Sequence, residues 1–281
     1  MKRYPAPGRL ISVGRHRLHI FSQGSSSGPV AVIEQGVGEP SKFWWPIQEK
    51  IAAFARICAY DRAGYLWSEP AGQSRSVGDR AEELHALLIN AHISGPYLLV
   101  GHSYGGLIIR QFALRYPQET AGLILVDTPD EPALCEPEVQ KFYARMRLFT
   151  KVIETASRFG LPRLLRHIPI LREGLSFVSP REYAAAGDEL ASLRELDCSA
   201  SIPGLLDDLP IVVITHGQPF PGPFALLEKV WPASQQRLVM LSSQSTLITA
   251  EKSNHMIHLD QPEIVIDVIR ETHDRLLSVS R

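Results

Sequence analysis

Residues 101–106, Gly-His-Ser-Tyr-Gly-Gly, constrain the fold of this chain more than any other stretch. An apolar run at 97–100 precedes them and predicts a buried strand, whereas residues 107–114 have the composition of a buried helix. A G-x-S-x-G motif between a strand and a helix predicts a sharp turn that presents the serine above a sheet. The alternative is a chance turn, because the bare motif is short.

The geometry of such a turn explains its residue types. The strand changes directly into a helix, which forces Ser103 into a strained backbone conformation, and glycines at 101 and 105 remove side chains that would collide with it. The hydroxyl of Ser103 then stands clear of the sheet. The backbone N–H of Tyr104 points to the place where an oxyanion would form during acyl transfer. Ser103 is therefore the candidate nucleophile.

The whole chain has the composition of an ordinary globular protein. Its 281 residues suffice for one large α/β domain with or without an insertion, and 44% of them are hydrophobic and 21% charged. A formal net charge of −1 gives no indication of a nucleic-acid partner. We see no apolar core of a signal peptide and no run of the roughly 18 apolar residues of a membrane span, so we expect no stable membrane insertion.

The three cysteines, Cys58, Cys135 and Cys198, form no spaced pair and no zinc-binding pattern. Cysteines without such a pattern are typical of a reducing compartment. We therefore expect a cytoplasmic protein.

Strands and helices alternate through most of the chain. The predicted strands are 9–14, 16–22, 30–33, 57–60, 97–100, 122–126, 211–214 and 246–248. The helices predicted between and after them include 41–53, one that begins at Ser76 or Asp79, 223–235 and a last one from about 261. This order predicts an α/β fold with a mostly parallel sheet, helices on both faces and functional residues at the carboxyl ends of the strands.

The alternation stops between residues 131 and 204, where no strand is predicted. Apolar and basic residues recur there at helical spacing, with breaks at Pro162, Pro169, Pro180 and Pro203. We interpret residues 131–204 as a helical cap inserted into an α/β core made of residues 1–130 and 205–281. The apolar residues that would form a lid, or only the inner faces of cap helices, are Phe142, Met146, Phe149, Ile153, Phe159, Leu164 and Leu165.

A serine hydroxyl is a weak nucleophile that needs a base, and the base needs an acid to orient it. Of the ten histidines, His255 has the position expected of the base, because it follows the last predicted strand directly before the terminal helix. His258 is the alternative, although its place nearer the helix is more typical of packing or capping.

The acid is harder to place. In chains with this order of strands and helices, the acid usually follows the strand that here ends at Thr215. Residues 216–230 contain no aspartate, and their one glutamate, Glu228, lies inside a predicted helix. Asp127 ends the strand after the helix that follows Ser103, and it is our candidate. Its alternative role is to cap the turn that follows. Three other acids remain open: Asp130, Glu131 and Glu228.

Two backbone N–H groups are expected to hold the oxyanion. One belongs to Tyr104, and the other should come from the loop after the strand at 30–33, where Val37 lies between Gly36 and Gly38. Glycines let the backbone approach a substrate closely, although a lone Gly-x-Gly is more often a simple turn.

Four residues are candidates for contacts with the substrate. Two are the glycines Gly36 and Gly38. His102 lies beside the nucleophile and either lines the pocket floor or packs under the turn, and His216 ends the strand at 211–215.

Together these residues resemble the α/β-hydrolase superfamily over most of 9–130 and 205–281. The motif at 101–106, the loop at 60–68 and the terminal histidine His255 carry the resemblance. It implies an eight-stranded α/β-hydrolase sheet, a Ser–His–acid triad, and no cofactor or metal.

Two residues depart from the usual pattern of this superfamily. Gln35 stands before Gly36 where a histidine is usual, so any role of that histidine is lost. The acid has moved to Asp127, which resembles a subset of the superfamily, including some haloalkane dehalogenases, in which the acid follows the sixth strand.

The nucleophile indicates the reaction class. Dehalogenases and epoxide hydrolases of this fold attack with aspartate, so Ser103 favours acyl transfer. We predict a serine hydrolase, a carboxylesterase that cleaves small-molecule esters with small to medium acyl groups. Hydrolysis of an amide, lactone or carbon–carbon bond by the same triad stays open, as does non-catalytic binding of a small molecule. The sequence makes no prediction of the oligomeric state.

Overall fold

The computed structural model describes residues 6–25, 28–159 and 179–279. Its strands, β1 to β8 in chain order, are Arg9–Ser12, Arg17–Gln23, Val30–Glu34, Ile57–Asp61, Tyr97–His102, Thr120–Val126, Ile211–His216 and Ser245–Ala250. They form one sheet with the order β1-β2-β4-β3-β5-β6-β7-β8. Strand β2 pairs antiparallel with both β1 and β4, and the other neighbours are parallel. The predicted α/β fold with a mostly parallel, eight-stranded sheet is confirmed.

Helices cover both faces of the sheet, as predicted. The described α-helices, α1 to α9, are Trp45–Ile51, Val77–Asn90, Tyr104–Arg115, Glu131–Cys135, Pro137–Arg158, Pro180–Ser192, Trp231–Val239, Ile257–Asp260 and Pro262–Val279. Helices α1 and α9 pack on one face with Ile33 and Val100, whereas α2, α3 and α7 pack on the other with Val32 and Leu99. Neighbouring strand residues point to opposite faces. Since both faces are covered there, the central strands β3 to β6 are buried almost throughout and are largely apolar.

Prolines divide two of the predicted helices. A 3-10 turn at Ser41–Trp44 precedes α1, and another at Gly222–Lys229 precedes α7. Proline lacks an N–H and is tolerated only in the first turn of a helix, so Pro46 and Pro232 each mark the start of a new one. Within the described ranges, no helix combines the length and hydropathy needed to cross a membrane.

Helices α4, α5 and α6 lie between β6 and β7. We call the described residues 131–159 and 179–204 the inserted segment; its separation as a cap domain stays a prediction. Phe142 is buried, whereas Phe149 on α5 and Phe159 directly after it are 50% and 84% exposed and do not face the core. The predicted breaks and lid residues that lie outside the described residues are Pro162, Pro169, Leu164 and Leu165.

Cys135 and Cys198 form a disulfide. The sequence has no spaced pair of cysteines and therefore gave no indication that these two form a bond. They lie 63 residues apart, too far for their spacing to carry a signal, and the fold brings together the end of α4 and the chain after α6. Disulfides persist mainly in oxidising environments, so the cysteines no longer support the cytoplasmic location, which stays a prediction. Cys58 is free and buried in the sheet.

Candidate active site

Ser103 occupies the turn between β5 and α3, with φ of 51° and ψ of −120°. A positive φ is costly for a residue with a side chain, and it persists here because Ser103 is the single residue that links the strand to the helix. Gly105 permits this turn, since a Cβ there would lie 2.2 Å from the carbonyl oxygen of Glu34. The structure has the sharp turn that the motif predicts, with Ser103 at its apex.

The side chains of Ser103, His255 and Asp127 form one hydrogen-bonded chain. The Ser103 hydroxyl lies 3.0 Å from Nε2 of His255, and Nδ1 of His255 lies 2.6 Å from Oδ2 of Asp127. Because an ionised carboxylate only accepts, Nδ1 carries the proton and Nε2 can accept the proton of Ser103. The three residues follow β5, β6 and β8, whose carboxyl ends lie at the same edge of the sheet.

Asp127 is fully buried and accepts hydrogen bonds from two residues besides His255. Nδ1 of His216 lies 2.8 Å from each carboxylate oxygen, the backbone N–H of His216 donates at 3.2 Å, and the indole N–H of Trp231 donates at 2.9 Å. Burial alone would raise the pKa of Asp127, but the hydrogen bonds from His216 and His255 outweigh it and lower the pKa well below its ordinary value. The carboxylate is therefore ionised at neutral pH.

The environment of His255 suits a base. Burial lowers the pKa of the ring, and the opposing effect of Asp127 does not fully compensate. The ring is neutral at pH 7, as proton abstraction requires. Phe220 and Trp231 pack against it with ring centroids 5.1 and 5.7 Å away, and these contacts fix its orientation.

Each of the other candidate acids is engaged away from His255. Their partners are Arg237 for Asp130, Arg110 for Glu131 and His216 for Glu228. Asp130 also caps α4 by accepting the backbone N–H of Ala133. Of the four acids considered, Asp127 is the one whose carboxylate contacts His255.

The loop after β3 borders Ser103. Gly36, Val37 and Gly38 line the same cavity as Ser103, together with Tyr104 at the start of α3. Gly38 has φ of 72°, a conformation that favours glycine. The loop and the first turn of α3 thus flank the nucleophile, as a pair of oxyanion-binding N–H groups requires.

A buried cluster of Glu39, His102 and His258 lies next to His255. Nδ1 of His102 is 3.0 Å from Glu39, and its Nε2 is 2.9 Å from the backbone carbonyl of His255. Both ring nitrogens face acceptors. Burial lowers the pKa of His102, but Glu39 outweighs this effect, so the pKa rises above the ordinary histidine value. His102 therefore links Glu39 to the backbone of His255.

These three residues are also close enough together to bind a metal ion. Glu39 already has two imidazole neighbours, since Nδ1 of His102 lies 3.0 Å from one carboxylate oxygen and Nε2 of His258 lies 2.6 Å from the other. Trp44 stacks on the His258 ring. The backbone N–H of Gly36 also donates to Glu39, at 2.6 Å. We therefore interpret the cluster as a hydrogen-bonded support for the site.

A cavity of about 270 Å³ lies beside Ser103. Its wall is largely apolar and includes Leu107, Met146, Leu190, Phe220, Phe224 and Trp231. No lysine or arginine among the described residues lines it. The cavity therefore favours an uncharged, apolar group.

His216, a candidate for substrate contact, is not among the residues that line this cavity. Its ring points at Asp127 and packs against Phe220, with centroids 4.7 Å apart. Phe220 and Trp231 line the cavity. The reason is that the hydrogen bonds to Asp127 hold His216 against the end of β6.

Four residues whose contacts shape the site were not predicted from the sequence: Glu39, Arg62, Glu189 and Trp231. Glu39 and Arg62 lie in or next to the loops at 35–38 and 60–68, so their positions could have indicated a role. Glu189 and Trp231 reach the site only through the tertiary fold, and no local pattern marks them.

Comparison with known proteins agrees with this architecture. A model of the alpha/beta hydrolase family matches residues 36–268. The uncharacterized protein YqjL of Bacillus subtilis (strain 168) is 29% identical over 247 residues, 88% of this chain and 84% of YqjL. The uncharacterized protein C23C11.06c of Schizosaccharomyces pombe is 27% identical over 90% of this chain but only 53% of its own length. The sheet and the serine turn define a hydrolase fold. The chain belongs to the alpha/beta hydrolase family.

Two solved structures illustrate the shared fold. The enol-lactonase from Burkholderia xenovorans LB400 superposes with a TM-score of 0.73 at 17% identity, over 94% of this chain and 99% of that one. A thermophilic esterase from Thermogutta terrifontis gives a TM-score of 0.68 at 21% identity, over 94% and 98%. At these identities the likeness concerns the fold alone.

Proposed function

We propose that this protein is a serine hydrolase that cleaves carboxylic esters with small to medium acyl groups. The observation that carries the proposal is the hydrogen-bonded chain from Ser103 through His255 to Asp127. A serine, a neutral histidine and an ionised acid in this order are the groups that acyl transfer needs. The apolar cavity beside Ser103 supports an uncharged acyl group as the ligand.

In the acylation step, His255 takes the proton of Ser103 as Oγ bonds to the ester carbonyl carbon. The N–H groups of Val37 and Tyr104 stabilise the resulting oxyanion, and Asp127 stabilises the imidazolium. The ester C–O bond then breaks, and His255 gives its proton to the leaving alcohol.

Water completes the cycle. His255 removes a proton from a water molecule that attacks the acyl group on Ser103, and a second tetrahedral intermediate forms at the same oxyanion site. Its collapse releases the carboxylic acid and returns the proton to Ser103. A lactone or amide would follow the same steps, so the choice of bond depends on the cavity rather than on the triad.

The test is hydrolysis of p-nitrophenyl butyrate and octanoate by the wild type and three variants. Ser103→Ala removes the nucleophile and should lower kcat by roughly 10⁴-fold or more. Asp127→Asn should lower it by about 10²- to 10⁴-fold, since the amide cannot stabilise the imidazolium. Asp130→Asn is the matched control, because Asp130 is a nearby acid paired with Arg237, and it should retain activity.

Near-normal turnover by Ser103→Ala would contradict the proposal. If Asp130→Asn is inactive while Asp127→Asn is active, the assignment of the acid is wrong. A wild type that ignores both esters but opens lactones or cleaves amides would keep the triad and change the substrate class.

A further inference from the structure

The last turn of α6 contacts both sides of the proposed oxyanion hole. Oε2 of Glu189 accepts the backbone N–H of Gly38 at 3.0 Å, next to Val37. The hydroxyl of Ser192 lies 2.7 Å from the Tyr104 hydroxyl. Both residues of α6 are buried. One helix of the inserted segment therefore contacts the two places from which the oxyanion donors come.

Arg62 holds the same loop from the side of the sheet. Its guanidinium donates to the backbone carbonyls of Gln35 at 2.7 Å and Gly36 at 2.6 Å, and its Nε lies 2.7 Å from Glu189. A second buried carboxylate, Glu34, lies 2.7 Å from Arg62. The carbonyls of Gln35 and Gly36 and the N–H of Gly38 are thus held by the ion pair of Arg62 and Glu189, which joins the core to α6.

Glu189 is fully engaged in this arrangement. The Tyr65 hydroxyl donates to Oε2 at 2.9 Å, in addition to the Gly38 N–H, while Oε1 accepts from Arg62. Burial alone would raise the pKa of Glu189, but Arg62 outweighs this effect and the pKa is lowered. The carboxylate is therefore ionised, and a neutral side chain there would leave Arg62 with one counter-ion fewer.

Ser192 makes the second contact of α6 with the proposed oxyanion hole, to Tyr104. Its hydroxyl donates to the backbone carbonyl of Glu189 at 2.7 Å, so it accepts the hydrogen bond from Tyr104. The Tyr104 side chain is thereby tied to α6 at the first residue of α3. The direction of the Tyr104 backbone N–H depends on where this first residue sits.

We propose that Glu189 and Ser192 are positioning residues that orient the N–H groups of Val37 and Tyr104. The oxyanion hole is then complete only while α6 is docked on the core. The inference rests on the proposed function, since it takes these N–H groups as the donors to the oxyanion.

The first variant is Glu189→Gln, which keeps the shape of the side chain and removes its charge. Removal of one oxyanion donor costs about 10²- to 10³-fold in kcat, so a misdirected donor should cost about 10- to 100-fold, with KM little changed. The control is Asp188→Asn. Asp188 precedes Glu189 on α6 and also joins it to the core, through Arg80 at 2.7 Å, but it does not contact the oxyanion loop.

A pair of inhibitors separates positioning from a merely structural role. Ser103 Oγ adds to the carbonyl carbon of a trifluoromethyl ketone, and the serine proton passes to His255. The former carbonyl oxygen then lies in the oxyanion hole as an oxyanion. The matching methyl ketone binds as a ground-state carbonyl. Glu189→Gln should weaken the fluorinated ketone in the same ratio as kcat/KM and leave the methyl ketone unchanged. Equal losses for both ketones would overturn the proposal.

A second variant covers the case in which Glu189→Gln does not fold, as circular dichroism and Tm would reveal. Ser192→Ala keeps every ion pair of Glu189, and it should still lower kcat and weaken the trifluoromethyl ketone. If both variants fold and match Asp188→Asn in these readouts, the proposal is wrong.

The rate of Ser103 labelling by a fluorophosphonate keeps this test separate from the ester assignment. In that reaction the Oγ–P bond forms, fluoride leaves, the serine proton passes to His255, and the phosphonyl oxygen occupies the oxyanion hole. Slower labelling of Glu189→Gln than of Asp188→Asn supports positioning even if the wild type cleaves no ester. Equal labelling, with ester turnover by the wild type intact, refutes only the positioning role.

Discussion

Nδ1 of His216 lies 2.8 Å from both carboxylate oxygens of Asp127, at the end of the strand next to the one that Asp127 follows. The opposite nitrogen, Nε2, lies 3.3 Å from Glu228. The carboxylate that contacts His255 is therefore also held by a second imidazole. His216 stands where the acid of such a triad usually follows its strand.

His216→Leu should reduce kcat/KM for a p-nitrophenyl ester by about tenfold, because Asp127 loses a hydrogen bond made to a charged group. The matched variant is His216→Asn, whose side-chain N–H can replace Nδ1, and it should recover most of the activity. Steady-state kinetics of the three proteins measure this. Equal activity of His216→Leu and the wild type would show that His255 alone suffices to hold the acid.

The pH dependence of kcat/KM should show an acidic limb with its midpoint below about 6.5, the ordinary pKa of histidine. Burial lowers the pKa of His255, and only the neutral ring can take the proton of Ser103. Activity is therefore lost as the pH falls through this lowered pKa and is complete above it. In Asp127→Asn the residual activity should have its limb at still lower pH, since the carboxylate opposes the lowering. A limb above the ordinary value would contradict the assignment of the base.

Loss of the disulfide should destabilise the protein. Closing a loop of 63 residues lowers the conformational entropy of the unfolded chain. In the loop-entropy account this loss stabilises the folded state by about 4 kcal/mol. Cys198→Ser should therefore lower the free energy of unfolding by about 2–4 kcal/mol, as measured by urea denaturation. Reductant should bring the wild type to the stability of the variant and leave the variant unchanged. If the wild type and the variant unfold at the same urea concentration without reductant, the bond does not form in solution.

Most of the sheet could be predicted because its central strands are short and buried on both faces. Runs such as 30–33 and 211–214 are apolar throughout, which distinguishes them from the helices between them. The turn at Ser103 follows from local chemistry, since only glycine fits at 105 against the backbone of Glu34. The position of His255 after the last strand follows from chain order. Its catalytic role, like that of Asp127, stays a prediction.

Contacts between distant parts of the chain could not be predicted. Gly38 and Glu189 lie 151 residues apart, and nothing in either segment marks the other. The same holds for Cys135 and Cys198, whose pairing the spacing does not indicate. The surroundings of His216 could not be predicted for a related reason: its strand was recognised, but the direction of the ring depends on how Phe220 packs over it.

Cys135 ends α4 soon after the chain leaves the sheet, and Cys198 precedes its return to β7. The disulfide joins the outgoing and the returning chain near the two ends of the inserted segment. The bond keeps the two ends of the segment together, so they cannot separate from each other at the edge of the sheet. Glu189 and Ser192 lie within the loop that this bond closes. Under the proposed positioning role, the same bond therefore limits how far α6 can move from the oxyanion donors.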